Sequence, residues 1–455
     1  MNRRDFLAAT ALSAIVPTFG LASPAKTMTA MAAKVQLAPK DFPPTDIWGF
    51  DGSVPGPEIR VKQGARVERS FINQLPQASA VHWHGIRIDN AMDGVPGMTQ
   101  TAVEPEQTFD YSFIAPDAGT YWYHSHNRSW EQVARGLYGP LIIDEVDLPD
   151  VDQDITLMID DWRLDKSGAI SNDFGAMHDN SHGGRLGNFA TVNGKADSIY
   201  PVKTHERLRL RLINAANARI FQLGIKGLNG SIVALDGMPL ETPQPIDLIT
   251  LAPAQRADLI VDVVAETGGE AVLYMQERDT SYALTDFEVT SQAAGAKRES
   301  ITSLPPNPVA VVNNLSNALT VPIVMEGGAM GGLQTATYQG QELDMRALVN
   351  AGQVWALNGV AGLTDEPLFR VSRGEAVRLS FTNKTAFPHG MHLHGHHFHE
   401  LGPQNQMGAL RDTTLINPRE TRDVAFIADN PGKWLIHCHM LGHQATGMKT
   451  WIEVK

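Results

Sequence analysis

Apolar and polar residues alternate with a period of two along three stretches of this chain, and the three stretches match one another. Val61-Lys62-Gln63-Gly64 leads through Val67 and Phe71 to Asn73, Val202-Lys203-Thr204 through Leu208 and Leu212 to Asn214, and Val371-Ser372-Arg373-Gly374 through Val377 and Phe381 to Asn383. In each, the closing Asn lies twelve residues after the opening Val. A period of two puts apolar side chains on one face of a strand and polar ones on the other, so each stretch predicts a half-buried strand. The recurrence predicts three copies of one β unit.

A second correspondence runs downstream. Asp110 to His126 aligns with Asp423 to His439 without a gap, whereas the middle copy, Asp258 to Gln276, needs a two-residue insertion and ends Tyr274-Met275-Gln276. Nine residues after the repeat Asn come His82-Trp83-His84-Gly85 in the first copy and His392-Leu393-His394-Gly395 in the third, but Leu223-Gly224-Ile225 in the second. The middle copy has the scaffold without the histidines. With Gly 40 and Pro 27, many Val, Thr and aromatic segments and few long 3.6-period runs, the composition predicts an all-β chain punctuated by turns. The acidic stretch Asp144 to Asp154 and the polar, Pro-rich stretch Ser291 to Pro308 separate the copies, giving units over 34–147, 148–300 and 301–455, preceded by 1–33. A length of roughly 420 residues after a leader suits about three such domains.

The leader reads Met1-Asn2-Arg3-Arg4-Asp5-Phe6-Leu7, then an apolar run Ala8 to Val16 and small residues to Ala25. That is the pattern of a twin-arginine export signal, which makes the export machinery an expected partner and the periplasm the expected location. The run is far shorter than the roughly 20 residues of a spanning helix, and no later segment is long enough, so no permanent membrane anchor is expected. A net charge of −13 argues against nucleic acid or anionic lipid as partner. Cys438 is the single cysteine, which excludes an intrachain disulfide and leaves its thiol to be protected in another way.

A metal would protect it. His437-Cys438-His439 is followed by His443 and Met448, so one loop offers a thiolate, an imidazole and a thioether, a set that with one further histidine selects copper. Four His-x-His pairs, at 82/84, 124/126, 392/394 and 437/439, stand at repeat-equivalent positions, two in the first unit and two in the third. In a strand both imidazoles of such a pair share a face and the residue between them takes the other. Packing of the first and third units would therefore gather eight imidazoles, enough for about three copper ions. Cys438 faces the opposite way. His389, an odd number of residues before His392, shares that orientation, so Cys438, His389, His443 and Met448 form a separate mononuclear site joined to the cluster by the peptide 437–439. His178 and His182, in a long surface loop from Ile170 to Gly187, read as exposed. Met325, Met330 and Met345 read as core filler. His396, His397 and His399 either line the mononuclear pocket or belong to a solvated loop.

At these residues the chain resembles a three-domain multicopper oxidase of laccase type, whose motifs His-x-His-Gly, His-x-His, His-x-x-His-x-His and His-Cys-His-x3-His-x4-Met are all present. The resemblance implies three consecutive cupredoxin-like Greek-key β-sandwich domains and four copper ions. Type 1 copper would take His389, Cys438, His443 and Met448. Type 2 would take His82 and His392, and the type 3 pair His84, His124, His126, His394, His437 and His439. It further implies one-electron oxidation of phenols or similar reductants at type 1, with Cys438, His437 and His439 as the electron path, coupled to reduction of dioxygen to water. Oxidation of Cu(I), Fe(II) or Mn(II) in copper tolerance is the alternative, and a non-catalytic copper-binding or envelope scaffold the further one. Asp93 matches a proton-relay carboxylate of bacterial relatives, although Asp93-Gly94 is also a turn dipeptide. The second relay position holds Gln444, which has no carboxyl group to offer.

Overall fold

The computed structural model describes residues 26–292 and 298–455. Among these, strands dominate and the longest helix, Met345–Asn350, has six residues. Among the described residues no helix is long and apolar enough to cross a membrane. Each repeat strand has the same two neighbours. Arg66–Asn73 runs parallel to Lys26–Val35 and antiparallel to Thr108–Ile114. Arg207–Asn214 lies likewise between Gln153–Trp162 and Arg256–Val263, and Ala376–Asn383 between Leu319–Gly327 and Thr421–Ile427. A second sheet covers each of these, and the alternating side chains fill the space between. Phe71, Trp83 and Tyr123 centre the first core, Leu208, Leu212 and Phe221 the second, and Phe381, Trp434 and Met391 the third.

The repeat asparagine closes each unit in the same way. Asn73 Nδ2 donates to the carbonyls of Gln77 and Val103, Asn214 Nδ2 to those of Arg219 and Leu251, and Asn383 Nδ2 to those of Phe387 and Ile416. Each side-chain oxygen accepts from the N–H two residues on, at Leu75, Ala216 and Thr385. All three are buried, so replacing one by Ala would orphan backbone groups at a cost of about 1–3 kcal/mol.

Three expectations change. The export signal up to residue 25 lies outside the described residues, but residues 26–33, expected as an extension, belong to the strand Lys26–Val35 of the first sheet. Ile301 and Leu304, placed in the third unit by composition, pack on Val233, Ala234 and Ile260 of the second. The repeat strand Arg207–Asn214 is buried on both faces rather than one. Its polar face carries Arg209 and Arg211, which meet Glu145, Asp258, Asp154 and Thr120 where the second unit packs on the first. Alternation reported correctly which side chains share a face, and the charged face was itself covered.

Candidate metal centre

The strands Val81–His84 and Gly119–Ser125 pair with His82 opposite His124, and His389–Leu393 pairs with Gly432–Cys438 with His392 opposite His437 and Met391 opposite Cys438. This register sends the eight His-x-His imidazoles to one interface between the first and third units and Cys438 into the third core. All eight are buried, His126 being the most exposed at 8%. Their ring nitrogens converge in triplets: His82, His84 and His392; His84, His124 and His439; His126, His394 and His437. His394 Nε2 lies 3.0 Å from His437 Nε2, and His124 Nε2 3.4 Å from His439 Nε2.

Six of these rings are oriented by an oxygen on one nitrogen. Nδ1 of His82, His392, His124 and His437 bonds the carbonyls of Asp93, Asp412, Ser125 and Cys438, His394 Nδ1 bonds Asp93 Oδ2 at 3.0 Å, and His84 Nε2 bonds Asp412 Oδ1 at 3.2 Å. A proton on that nitrogen leaves the other with its lone pair directed inward, the arrangement that orients imidazole ligands. The inward atoms His82 Nε2, His84 Nδ1, His126 Nε2 and His392 Nε2 have no hydrogen-bond partner although buried. Ring nitrogens gathered within 4.8 Å of one another in each triplet, several of them orphaned, fit ions held at about 2.0 Å from each nitrogen.

The second donor set is a triangle. His389 Nδ1 and His443 Nδ1 lie 3.1 Å apart, and Cys438 Sγ lies 3.6 and 3.7 Å from them. Thr385 Oγ1 holds His389 Nε2 at 2.8 Å, and the His182 carbonyl accepts from His443 Nε2 at 2.7 Å. Met448 is buried in the same cluster, its carbonyl accepting from the Cys438 N–H at 3.1 Å. Burial holds His389, His84, His124, His126, His394, His437 and His439 well below the ordinary histidine value and brings His443 down to about 4, so the rings are neutral ligands. Burial also pushes the Cys438 thiol up to about 12, so its thiolate requires a cation beside it.

Asp93 is 2% exposed and touches both His82 and His394, at the cluster rather than in a solvated turn. Gln444 accepts from Ser129 Oγ at 2.9 Å, tying the last motif to the first unit. His396 and His397 take neither expected place. Both are buried, His396 bonded to the His394 carbonyl and His397 lying 3.8 Å from Asp412, while His399 bonds the Gly408 carbonyl near the surface. Of the three methionines, Met325 is core and Met330 is 82% exposed.

Sequence reasoning missed Asp412 and Arg256. The fully buried Arg256 guanidinium, from the middle unit, donates to Asp412 Oδ1 and Oδ2 at 2.9 and 2.6 Å, and Asp412 in turn holds His84 through Oδ1 and His392 through its backbone carbonyl. Burial alone would raise the Asp412 carboxyl, but Arg256 and His84 outweigh it and hold it well below its usual value. Gly85 makes room: a Cβ there would collide with Arg256 Nη2 and Asp412 Oδ2. The available signal was an arginine opening the apolar run Arg256–Val263, since a buried arginine needs a carboxylate.

Family profiles described as multicopper oxidase match residues 31–147, 153–294 and 334–455. The crystal structure of Lac15 from a marine microbial metagenome is 45% identical, over 94% of this chain and 100% of that one, with a TM-score of 0.77. Multicopper oxidase MmcO of Mycobacterium tuberculosis is 28% identical over 94% of this chain and 86% of its own length. Laccase-1 of Botryotinia fuckeliana is 29% identical over 88% and 77%. With two buried donor sets that fit a mononuclear and a trinuclear copper site on three cupredoxin-like domains, the chain belongs to the multicopper oxidases, copper-dependent oxidoreductases.

Proposed function

We propose that this protein is a four-copper oxidase of small reductants. Type 1 copper would be held by His389, Cys438 and His443 with Met448. Type 2 takes His82 and His392. The type 3 pair takes His84, His124 and His439 at one ion and His126, His394 and His437 at the other. Bound there, the ions supply one-electron oxidation at the mononuclear site and four-electron reduction of dioxygen to water at the cluster. The observation that carries the reading is the peptide 437–439, whose central thiol belongs to one donor set and whose flanking imidazoles belong to the other.

The chain's own groups do the rest. Oxygen partners on the outward nitrogens fix which nitrogen of each ring faces inward. Trp122 and the buried sheets keep bulk water from the cluster. Asp93, bonded at Oδ2 to His394 Nδ1, is the carboxylate positioned to hold a proton beside the cluster. Phenols are the proposed reductants, by likeness to the relative named a laccase. A reduced metal ion is the second reading, favoured by the complete burial of His443, the ring a phenol would have to touch. Export by the twin-arginine route to the periplasm completes the proposal, supported by Arg3-Arg4 and the apolar run behind them. Copper-saturated protein tested by oxygen uptake with 2,6-dimethoxyphenol, Cu(I) and Fe(II) decides the reductant. Absence of uptake with all three, in protein holding four coppers, would remove the oxidase reading.

A further inference from the structure

The two imidazoles of the mononuclear donor set are held from behind by acceptors of different kinds. His443 Nε2 donates to a main-chain carbonyl of the middle domain, that of His182, at 2.7 Å. The two preceding carbonyls are bound to the third domain as well, Asn180 O by Trp355 Nε1 at 2.6 Å and Ser181 O by the Ala329 N–H at 2.7 Å. That acceptor is backbone, and no substitution removes it. His389 Nε2 instead meets a side chain of its own domain, the Thr385 hydroxyl, at 2.8 Å.

The neighbours of Thr385 place the proton in this contact. Around Oγ1 lie Asn383 Oδ1 at 2.8 Å, the Phe387 carbonyl at 3.0 Å and the Phe387 N–H at 3.2 Å. Asn383 cannot turn its amide nitrogen toward the hydroxyl, because Nδ2 donates to the carbonyls of Phe387, Ile416 and Asn417 while Oδ1 accepts from the Thr385 N–H at 2.9 Å. The hydroxyl therefore gives its one proton to Asn383 Oδ1 or the Phe387 carbonyl and offers its lone pairs to the Phe387 N–H and to His389. The proton of the His389 ring then sits on Nε2. Its Nδ1 is left with a lone pair facing Cys438 Sγ, 3.6 Å away, and His443 Nδ1, 3.1 Å away. Asn383, Thr385 and His389 are all buried, so bulk water does not compete for these bonds.

Only the third unit is built this way. The residue two beyond the repeat asparagine is Leu75 in the first unit and Ala216 in the second, and there the asparagine oxygen accepts from the backbone N–H alone. At the same position Thr385 adds a hydroxyl. The asparagine that closes the fold thus also orients, through one intervening oxygen, a ring of the donor set.

Resting on the mononuclear copper assignment given above, we propose that Thr385 is a positioning residue that sets the reduction potential of that site through His389. An imidazole whose outward N–H is hydrogen-bonded is held in one tautomer and is the more basic ligand. A more basic nitrogen stabilises Cu(II) more than Cu(I), so the bond to Thr385 holds the potential down. The potential in turn decides from which reductants the site can take an electron. Thr385 touches neither the reductant nor the cluster and acts on the reaction only through the ring it orients.

The test is a redox titration of the blue absorption in the copper-loaded full chain. Thr385→Val keeps the shape and removes the acceptor. Partners behind a metal ligand are worth about tenfold or more in affinity, and a tenfold loss confined to the oxidised ion raises the potential by about 59 mV. Thr385→Ser keeps the hydroxyl and holds the parent potential. A role in packing alone would lower the melting temperature of Thr385→Val and leave its potential where it was, so a blue Thr385→Val with an unchanged potential overturns the proposal. An equal shift in Thr385→Ser overturns it too, because the hydroxyl would then not be the cause. Should Thr385→Val fail to fold or to turn blue, nitrogen NMR of the metal-free parent chain decides: His389 protonated at Nε2 is the expected result, and protonation at Nδ1 overturns it. Parent protein that binds copper without any blue absorption fails the mononuclear assignment instead, so the two failures are told apart.

Discussion

The middle domain and its two neighbours carry the same asparagine-closed strand, yet they use the equivalent edge of the fold in opposite ways. Where the outer domains place His82/His84 and His392/His394, the middle one has Leu223, Gly224 and Ile225 paired with Met275, Tyr274 and Leu273. Leu223 and Met275 are core residues, and the Tyr274 ring fills the space a side chain at Gly224 would need. One backbone register therefore accepts either inward imidazoles or a closed apolar core. The choice follows what the strand faces: the outer domains face each other across a polar pocket, and the middle one faces only itself. The middle domain is still not a passive spacer. It sends Arg256 to the carboxylate behind the cluster and the Asn180–His182 carbonyls to the mononuclear site.

The sharpest way to break this division of labour is at Cys438. Cys438→Ser removes the thiolate of one donor set without changing the imidazoles of the other. Blue absorption and reductant oxidation should fall by at least a thousandfold, while metal analysis still finds about three coppers per chain, the capacity of eight imidazoles. Turnover retained in that variant would contradict the entry of electrons through the thiolate.

Acid should separate the domains next. In metal-free protein the folded state keeps His443 and the cluster imidazoles neutral where an unfolded chain would protonate them. The unfolded chain therefore binds more protons below 6.5, and stability, complete above that value, is lost as pH falls toward about 4. A shift of that size is worth roughly 3 kcal/mol for a fully buried group. Proteolysis between pH 6.5 and 4 should cut the first and third domains before the middle one, and copper loading should abolish the difference. Equal loss in all three domains would show that the buried imidazoles do not set acid stability.

Arg256→Met tests the support from the middle domain. It strands a buried carboxylate at Asp412, a change of the kind that costs about 3–5 kcal/mol, and Arg256→Lys should recover part of that loss. Beyond the fall in melting temperature, the copper signal of the cluster should change, because the Asp412 carboxylate is no longer fixed in its bond to His84 Nε2. A melting shift with an unaltered copper signal would reduce the contact to ordinary packing.

The same contrast marks how much could be read before the structure. The two donor sets were legible because strand parity is a local property: a spacing of two puts His437 and His439 together and sends Cys438 away. Asp412 and Arg256 were not, because their meeting joins strands 156 residues apart in different domains. The carbonyls of Asn180, Ser181 and His182 carry no side-chain signature at all, so the loop around them read as surface. His396 and His397 misled for a related reason. Their spacing resembles that of the ligands, but whether a short His-rich stretch is solvated depends on what packs over it, here Phe426 and Trp434 at His396.

The smallest expected effect is at Met448. It lies in the third core, and the proposal assigns it to the mononuclear set as the weak thioether donor. Met448→Leu keeps volume and burial, so folding should change by less than about 1.5 kcal/mol. What changes is electronic: with the axial sulfur gone, the oxidised ion loses more stabilisation than the reduced one, and the potential rises. A tenfold change in that preference is about 59 mV for one electron, a shift that redox titration of the blue absorption resolves. The cluster, whose electrons the proposal routes through Cys438 and its flanking histidines, should keep its copper and its spectrum. An unchanged potential would remove Met448 from the ligand set. A disturbed cluster would mean that the two donor sets are coupled through packing as well as through the peptide 437–439.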